Sequence, residues 1–249
     1  MIQEPFAVGA SLLHRLDPRA RIVFATAYSF VIAVSHRFPV LILALVVSIL
    51  LICLARLSMR EVGRRLAVVF WFLLLIWAVL PLTFEGELFY QAGPLTFTRP
   101  GVVLAAQITL KSAVILLAFM ALIATMTTVT LGQALNRLRL PEKLVHLLLL
   151  TYRYIFLINQ EYQRLWTAIK IRGFRSGTNI HSYKTYAYLI GMLFVRASVR
   201  AQRVNLAMRC RGFKGRFYSL DDFTFSGQNL LFSLLMTALI IGLIVLECN

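Results

Sequence analysis

Five long apolar runs constrain the fold of this 249-residue chain more than any other feature. They cover residues 20–35, 40–55, 66–82, 102–127 and 229–246. A helix needs about 20 apolar residues to cross the hydrocarbon core of a bilayer, and flanking arginines can reach the interface where a run is short. Hydrophobic residues make up 59% of the sequence, whereas about half is usual for a soluble domain. The sequence therefore predicts an all-α, polytopic helical membrane protein with about five transmembrane helices.

The stretch 128–228 differs in composition from the apolar runs around it. It carries sixteen lysines and arginines against four acidic residues, and its apolar residues recur at helical spacing. This pattern predicts three amphipathic helices, a short one at 131–139 and long ones at 143–173 and 183–211. The chain then divides into an N-terminal membrane region with four spans (1–127), a helical region (128–228) and a C-terminal transmembrane helix (229–249).

The distribution of basic residues predicts how the chain is oriented in the membrane. The N-terminal segment, the loop at 56–65 and the region 128–228 are all basic, so the positive-inside rule puts them on the cytosolic side. We therefore expect a multi-pass protein of the cell (inner or plasma) membrane with a cytosolic N-terminus. The segment 143–158 is an alternative span, but His146 and Arg153 argue against its being surrounded by lipid.

Charged and metal-ligating residues give little sign of catalysis. Lys111 lies within a predicted span, where we expect it to face the bundle interior or to reach the interface. The four histidines and three cysteines are scattered without metal-ligand spacing, and the sequence has no P-loop, HExxH or GxSxG motif. We therefore expect no catalytic residue, no metal site and no bound cofactor in this chain.

A short motif occurs twice in the basic region. Thr167–Phe174 reads TAIKIRGF and Leu206–Phe213 reads LAMRCRGF. The matching residues are Ala168, Arg172 and Gly173 in the first copy and Ala207, Arg211 and Gly212 in the second. One such motif is largely explained as a helix end, because arginine complements the helix dipole and glycine caps the helix. Two matching copies favour two docking sites, each placing one guanidinium against a carboxylate or the terminal carbonyls of a partner helix.

With these residues in view, the chain resembles the transmembrane (T) component of energy-coupling factor (ECF) transporters, and specifically the CbiQ branch. The resemblance runs nearly end to end. The segments that carry it are Leu13–Arg19 (LHRLDPR), Leu138–Lys143 (LRLPEK), Thr151–Tyr154 (TYRY), 186–196 and 207–215. The family has an Ala-Arg-Gly signature at the end of each of two coupling helices. Here the residues before the two arginines are Ile171 and Cys210 instead of alanine.

The resemblance implies a role for each part of the basic region. The two signatures would dock into grooves on two cytosolic ABC ATPases, which use the ATP. The long helices would act as coupling helices beneath a membrane substrate-capture subunit, CbiM-like, with contact candidates Leu147, Tyr154, Leu157, Leu189 and Leu193. The resemblance implies cobalt import, with nickel or vitamin uptake as alternatives.

Two other classes of function remain to be weighed. A membrane-embedded enzyme acting on a lipid or prenyl substrate would need a cluster of Asp, Glu and His residues, and the sequence shows none. A binder of nucleic acid or anionic lipid would use a solvated basic face, whereas the charges in 143–211 alternate with apolar residues. We therefore expect no nucleic-acid partner.

Overall fold

A computed structural model describes residues 13, 16–83, 88–92, 95–213 and 227–248. These residues form eight helices and one two-stranded ribbon. In chain order the elements are α1 (Pro18–Val34), α2 (Phe38–Ala55), α3 (Met59–Thr83), β1 (Leu88–Ala92), β2 (Leu95–Thr98), α4 (Arg99–Leu122), α5 (Thr128–Arg137), α6 (Glu142–Ile171), α7 (Ile180–Cys210) and α8 (Gly227–Cys248). The predicted helical membrane fold is confirmed.

Four helices in the described ranges are long and apolar enough to cross a membrane. They are Phe38–Ala55, Met59–Pro81, Arg99–Leu122 and Asn229–Cys248. The remaining predicted span, 20–35, corresponds to α1, which has only 17 residues and contains Arg19 and Arg21. The structure therefore supports four spans by length and composition, with α1 as a shorter fifth membrane-region helix.

Helix boundaries in this region follow from local chemistry. The Asp17 carboxylate accepts a hydrogen bond from the backbone N–H of Arg19 at 2.9 Å, and Pro18 occupies the first turn, so α1 begins here. Arg56 adopts a left-handed conformation, with φ of 52°, and ends α2. The ribbon β1–β2 lies in a stretch whose composition suggests a polar loop. Its strands are antiparallel, and their aromatic and β-branched residues favour extended structure.

The chain is divided into two compact units. Of the described residues, one unit comprises 13, 16–83, 88–92, 95–134 and 227–248, and the other comprises 135–213. The first unit contains α1 to α4 and α8, and its interior is apolar, with two clusters of buried side chains. The buried Tyr28 hydroxyl donates to the Ala44 carbonyl at 2.7 Å, and the Ser48 hydroxyl donates to the Val114 carbonyl at 3.3 Å. These bonds connect α1, α2 and α4 inside the unit.

The turn between α1 and α2 is held by polar side chains from two other helices. Lys111 of α4 donates to the Ala33 carbonyl at 2.9 Å, near the C-terminal end of α1. The Glu247 carboxylate accepts hydrogen bonds from the Ser35 hydroxyl at 2.6 Å and from the His36 backbone N–H at 2.8 Å. Lys111 therefore reaches a helix end within the bundle, as expected for a charge that avoids lipid.

Candidate functional site

The second unit is built around two long helices, α6 and α7, close to the predicted ranges 143–173 and 183–211. At 1.5 Å per residue, their 30 and 31 residues extend about 45 Å each. Glu142 in the first turn of α6 and Lys170 in its last turn complement the helix dipole. Although α6 is long, it is not among the helices apolar enough to span a membrane.

The two sequence motifs fold into the same backbone structure. Gly173 follows the end of α6 with φ of 79°, and Gly212 follows the end of α7 with φ of 75°. Arg172 and Arg211 are the C-cap residues, with φ and ψ of −76° and 10° and of −86° and 10°. Only glycine adopts the left-handed conformation without a steric cost from Cβ, which explains its presence in both copies.

Backbone hydrogen bonds make each motif a Schellman cap. The Gly173 N–H donates to the Lys170 carbonyl at 3.0 Å, and the Phe174 N–H donates to the Ile169 carbonyl at 3.3 Å. The second copy repeats both bonds at 3.0 Å, from Gly212 to Arg209 and from Phe213 to Met208. In each pair the first donor is one residue beyond the C-cap and the second is two residues beyond, which is the Schellman pattern.

The residues predicted to dock are all at the surface of this unit. Exposed positions include Ala168, Arg172, Gly173, Ala207, Arg211 and Gly212. Ala168 and Ala207 lie one turn before the arginines, and their carbonyls accept the arginine backbone N–H groups at 3.3 and 3.2 Å. Ile171 and Cys210, where the family has alanine, are exposed as well. Each copy therefore presents a small residue and an arginine together at one helix end.

An aromatic cluster supports the first motif. Phe174 packs edge-on against Trp166 and Tyr186, with ring centroids 6.3 and 5.7 Å apart, and Trp166 stacks on Tyr186 at 5.9 Å. The Lys170 ammonium lies 5.5 Å from the centroid of the Trp166 ring. This cluster was not predicted from the sequence, because its rings come from two helices and the connection between them.

One ion pair joins α6 to α7 within this unit. The Arg196 guanidinium donates to the Glu161 carboxylate, and Arg164 lies 3.6 Å from the same carboxylate. The hydrogen bond from Arg196 holds the pKa of Glu161 below its usual value. This pair was not predicted either, although Glu161 is one of only four acidic residues in a strongly basic stretch.

Contact candidates for a substrate-capture subunit differ in their exposure. Leu147 is 65% exposed, and Tyr154, Leu157 and Leu193 are half-buried. Leu189 was expected on an exposed apolar face, but it is only 5% exposed. The helical spacing that selected Leu189 does not determine how exposed a single side chain is.

A groove of about 700 Å³ lies between the N-terminal half of α6 and the C-terminal half of α7. Leu147 and Tyr154 line it, while Leu157, Leu189 and Leu193 do not. The described residues contain no group of three or more His, Cys, Asp or Glu side chains that could hold a metal ion. The candidate site therefore consists of two matching helix caps, at the ends of α6 and α7, and an apolar groove between these helices.

Comparison with known proteins agrees with this geometry. The CbiQ family model, described as "Cobalt transport protein", matches residues 9–219. The energy-coupling factor transporter transmembrane protein EcfT of Listeria innocua is 29% identical over 229 residues, which is 86% of this chain and 85% of the relative. EcfT of Bacillus subtilis is 26% identical over 226 residues, again 86% and 85%. The cobalt transport protein CbiQ of Rhodobacter capsulatus is 29% identical over 177 residues, 69% of this chain and 71% of the relative.

The fold, the site and these relatives define a multi-pass, non-catalytic transmembrane subunit of a transporter. The chain belongs to the CbiQ family, and its ECF transmembrane-component relatives match most of its length. The resemblance seen in the sequence motifs is thereby confirmed.

Proposed function

We propose that this chain transmits the movement of two cytosolic ABC ATPase subunits to a CbiM-like membrane subunit that captures the substrate. The observation that carries this proposal is the pair of exposed arginines, Arg172 and Arg211, held in matching helix caps at the ends of two long helices. A guanidinium makes bidentate bonds with a carboxylate, and an adjacent small residue lets a partner approach closely. Each cap is therefore suited to fit one ATPase.

The length of α7 sets the scale of the coupling. One cap ends α6 and the other ends α7, so the 31-residue helix α7, about 45 Å long, lies between the two caps in the chain. Two separate ATPase subunits can therefore each hold one cap of the same chain. When the ATPases close on ATP, they would carry the caps with them, and α6 and α7 would act as levers. Exposed or half-buried Leu147, Tyr154, Leu157 and Leu193 are the proposed contacts with the capture subunit.

Cobalt is the substrate that we propose. The family description and the Rhodobacter capsulatus relative both name cobalt, which supports this choice. Nickel or vitamins are the alternatives, since the EcfT relatives have names that specify no substrate. In this arrangement the capture subunit holds the ion and the ATPases use the ATP, while the chain itself sits in the plasma (inner) membrane with a cytosolic N-terminus.

Co-purification in mild detergent, paired with ATP-driven uptake of radioactive cobalt, tests the proposal. The Arg172→Ala/Arg211→Ala variant should insert normally, lose the ATPase and lose uptake. A double variant matched in charge, Arg153→Ala/Arg203→Ala, changes one exposed arginine on each helix away from the caps and should keep both. If the first variant retained the ATPase and uptake, the arginines would be helix caps only and the proposal would fail.

A further inference from the structure

A buried arginine lies near the start of α1. Arg21 is 2% exposed, and its guanidinium donates a hydrogen bond to the hydroxyl of Thr125, which is also 2% exposed. Among the described residues, Arg21 forms no ion pair with a carboxylate, and its buried Nε has no hydrogen-bond partner. A guanidinium removed from water with so little compensation destabilises a fold, and a charge inside a membrane region is a functional candidate by default. Stability therefore does not explain why an arginine occupies this position.

The acceptor, Thr125, lies in the connection between α4 and α5, at residues 123–127. Its hydroxyl donates to the Ala121 carbonyl at 2.8 Å, which leaves its oxygen to accept the bond from the guanidinium. Two residues further on, the Thr127 hydroxyl oxygen accepts the Thr130 backbone N–H at 3.1 Å, so Thr127 caps α5. The hydrogen bond between α1 and this connection therefore fixes the chain immediately before α5 begins.

The start of α1, which bears Arg21, is itself anchored. The Asp17 backbone N–H donates to the Asn229 side-chain oxygen at 3.0 Å, and both residues are buried. Asp17 is the N-cap of α1, and Asn229 lies in the first turn of α8. The Arg21 backbone N–H donates to the Asp17 carbonyl at 3.3 Å, one turn from this contact. The guanidinium therefore extends from a fixed point, and through Thr125 it relates the α4–α5 connection to that point.

The chain passes from one compact unit to the other inside α5. The unit of the membrane helices includes the described residues up to 134, and the unit of α6 and α7 begins at 135, within α5. Rigid secondary elements that have two arrangements carry coupling between distant sites. A displacement of α6 that travels along the chain therefore reaches α5 first, and then the connection that Arg21 contacts.

We propose that Arg21 is a positioning residue for energy coupling, which holds the α4–α5 connection against α1 so that movement of α6 and α7 reaches the membrane helices. The inference rests on the coupling function proposed above and deepens it, because it adds a residue of the membrane region to the two caps. A hydrogen bond to a charged donor shifts a two-state equilibrium by about tenfold. One such bond is strong enough to bias the position of the connection and weak enough to break when the ATPases close.

A double variant separates positioning from structural support. Arg21→Met/Thr125→Val removes the charge and its acceptor together, and replacing both partners of a buried polar pair by apolar groups is often nearly neutral for stability. The whole complex, with the ATPases and the capture subunit, is placed in proteoliposomes, where ATP hydrolysis and uptake of radioactive cobalt are both measured. We expect the double variant to keep the unfolding temperature and the ATP hydrolysis of wild type and to import about tenfold less cobalt per ATP.

Two single variants serve as controls. Thr125→Ser keeps the accepting hydroxyl and should import cobalt as wild type does. Thr109→Val changes a matched threonine of α4, away from the connection. The Thr109 hydroxyl donates to the Ala105 carbonyl at 2.7 Å and accepts a hydrogen bond from Trp77 Nε1–H at 2.9 Å. Thr109→Val therefore also loses a bond between helices, but it should keep the wild-type ratio of cobalt to ATP.

Each outcome has a separate meaning. A wild-type ratio of cobalt to ATP in Arg21→Met/Thr125→Val would show that the pair is only structural and would overturn the inference. Thr125→Val alone removes the same bond, so it should show the same fall in the ratio for each folded complex, and a normal ratio there would contradict the inference as well. If wild type imported no cobalt, or if Arg172→Ala/Arg211→Ala still imported it, the coupling function itself would fail.

Discussion

The left-handed glycines of the two caps permit a quantitative test of docking. With φ of 79° and 75°, Gly173 and Gly212 occupy a region that costs other L-residues about 1–2 kcal/mol. A Gly→Ala change also stabilises a protein by about 0.4–1 kcal/mol, because alanine lowers the conformational entropy of the unfolded chain. That gain is the same for every conformation of the folded cap, so it does not offset the cost of the left-handed one. We therefore expect alanine to disfavour each native cap by about 1 kcal/mol, which weakens docking by up to about fivefold per site and up to about 25-fold for both; the full loss applies where the free cap already populates other conformations.

Binding of purified ATPase to immobilised protein in detergent measures this effect. Gly173→Ala/Gly212→Ala should bind more weakly, by up to about 25-fold, whereas the double Asn variant should recover most of the affinity, because asparagine tolerates the left-handed region. Gly191→Ala on α7 is the control, since a Cβ there meets no atom within 4 Å and the residue is helical. Wild-type affinity in the double alanine variant would refute the idea that ATPase binding depends on the left-handed conformation of the caps.

Two further predictions concern stability within each unit. A Cβ on Gly101 would lie 2.8 Å from Cα of Pro81, so Gly101→Ala should lower stability by about 1–3 kcal/mol and lower the unfolding temperature in detergent, unlike Gly242→Ala, which has open space. Equal unfolding temperatures would contradict the close approach of α3 and α4. Because the hydrogen bond from Arg196 lowers the pKa of Glu161, the stabilisation from this pair is fully present above the ordinary pKa of a glutamate and is lost as the pH falls through the lowered pKa. The difference in unfolding temperature between wild type and Glu161→Gln should therefore be constant from about pH 5 to 8 and vanish in stronger acid. A difference that became smaller near neutral pH would contradict this account.

Local sequence signals predicted the helices and their ends well. Hydropathy located the apolar parts of α2, α3, α4 and α8, but α3 begins at Met59, so residues 59–65 of the predicted loop at 56–65 are helical. Helical periodicity located α6 and α7 to within a few residues. The glycine in each motif predicted a helix cap, which both copies adopt with a left-handed glycine. These features depend on residues within one or two turns of each other, so one sequence contains the information needed to find them.

Features that depend on pairing between distant residues were not predicted. The choice of Arg196 as partner for Glu161 and the packing of Phe174 on Tyr186 both depend on how α6 and α7 cross, and the burial of Leu189 depends on packing that the sequence does not show. Helical periodicity gives the face of each helix but not the face that meets its neighbour. The ribbon β1–β2 was missed for a related reason, because its strands are short and lie between helices in a stretch rich in turn residues.

The repeated motif can now be divided into what capping explains and what it does not. The Schellman geometry favours glycine at Gly173 and Gly212, and an apolar residue often follows a cap of this kind, as Phe174 does. It places no demand on the C-cap side chain, and a lysine would complement the helix dipole as well as arginine does. Nor does it require alanine one turn earlier, where both copies are exposed. The recurrence of alanine and arginine is therefore unexplained by the fold of this chain alone. The docking proposal would account for this recurrence, because a partner that needs close approach and a planar, bidentate donor would require both residues at both helix ends.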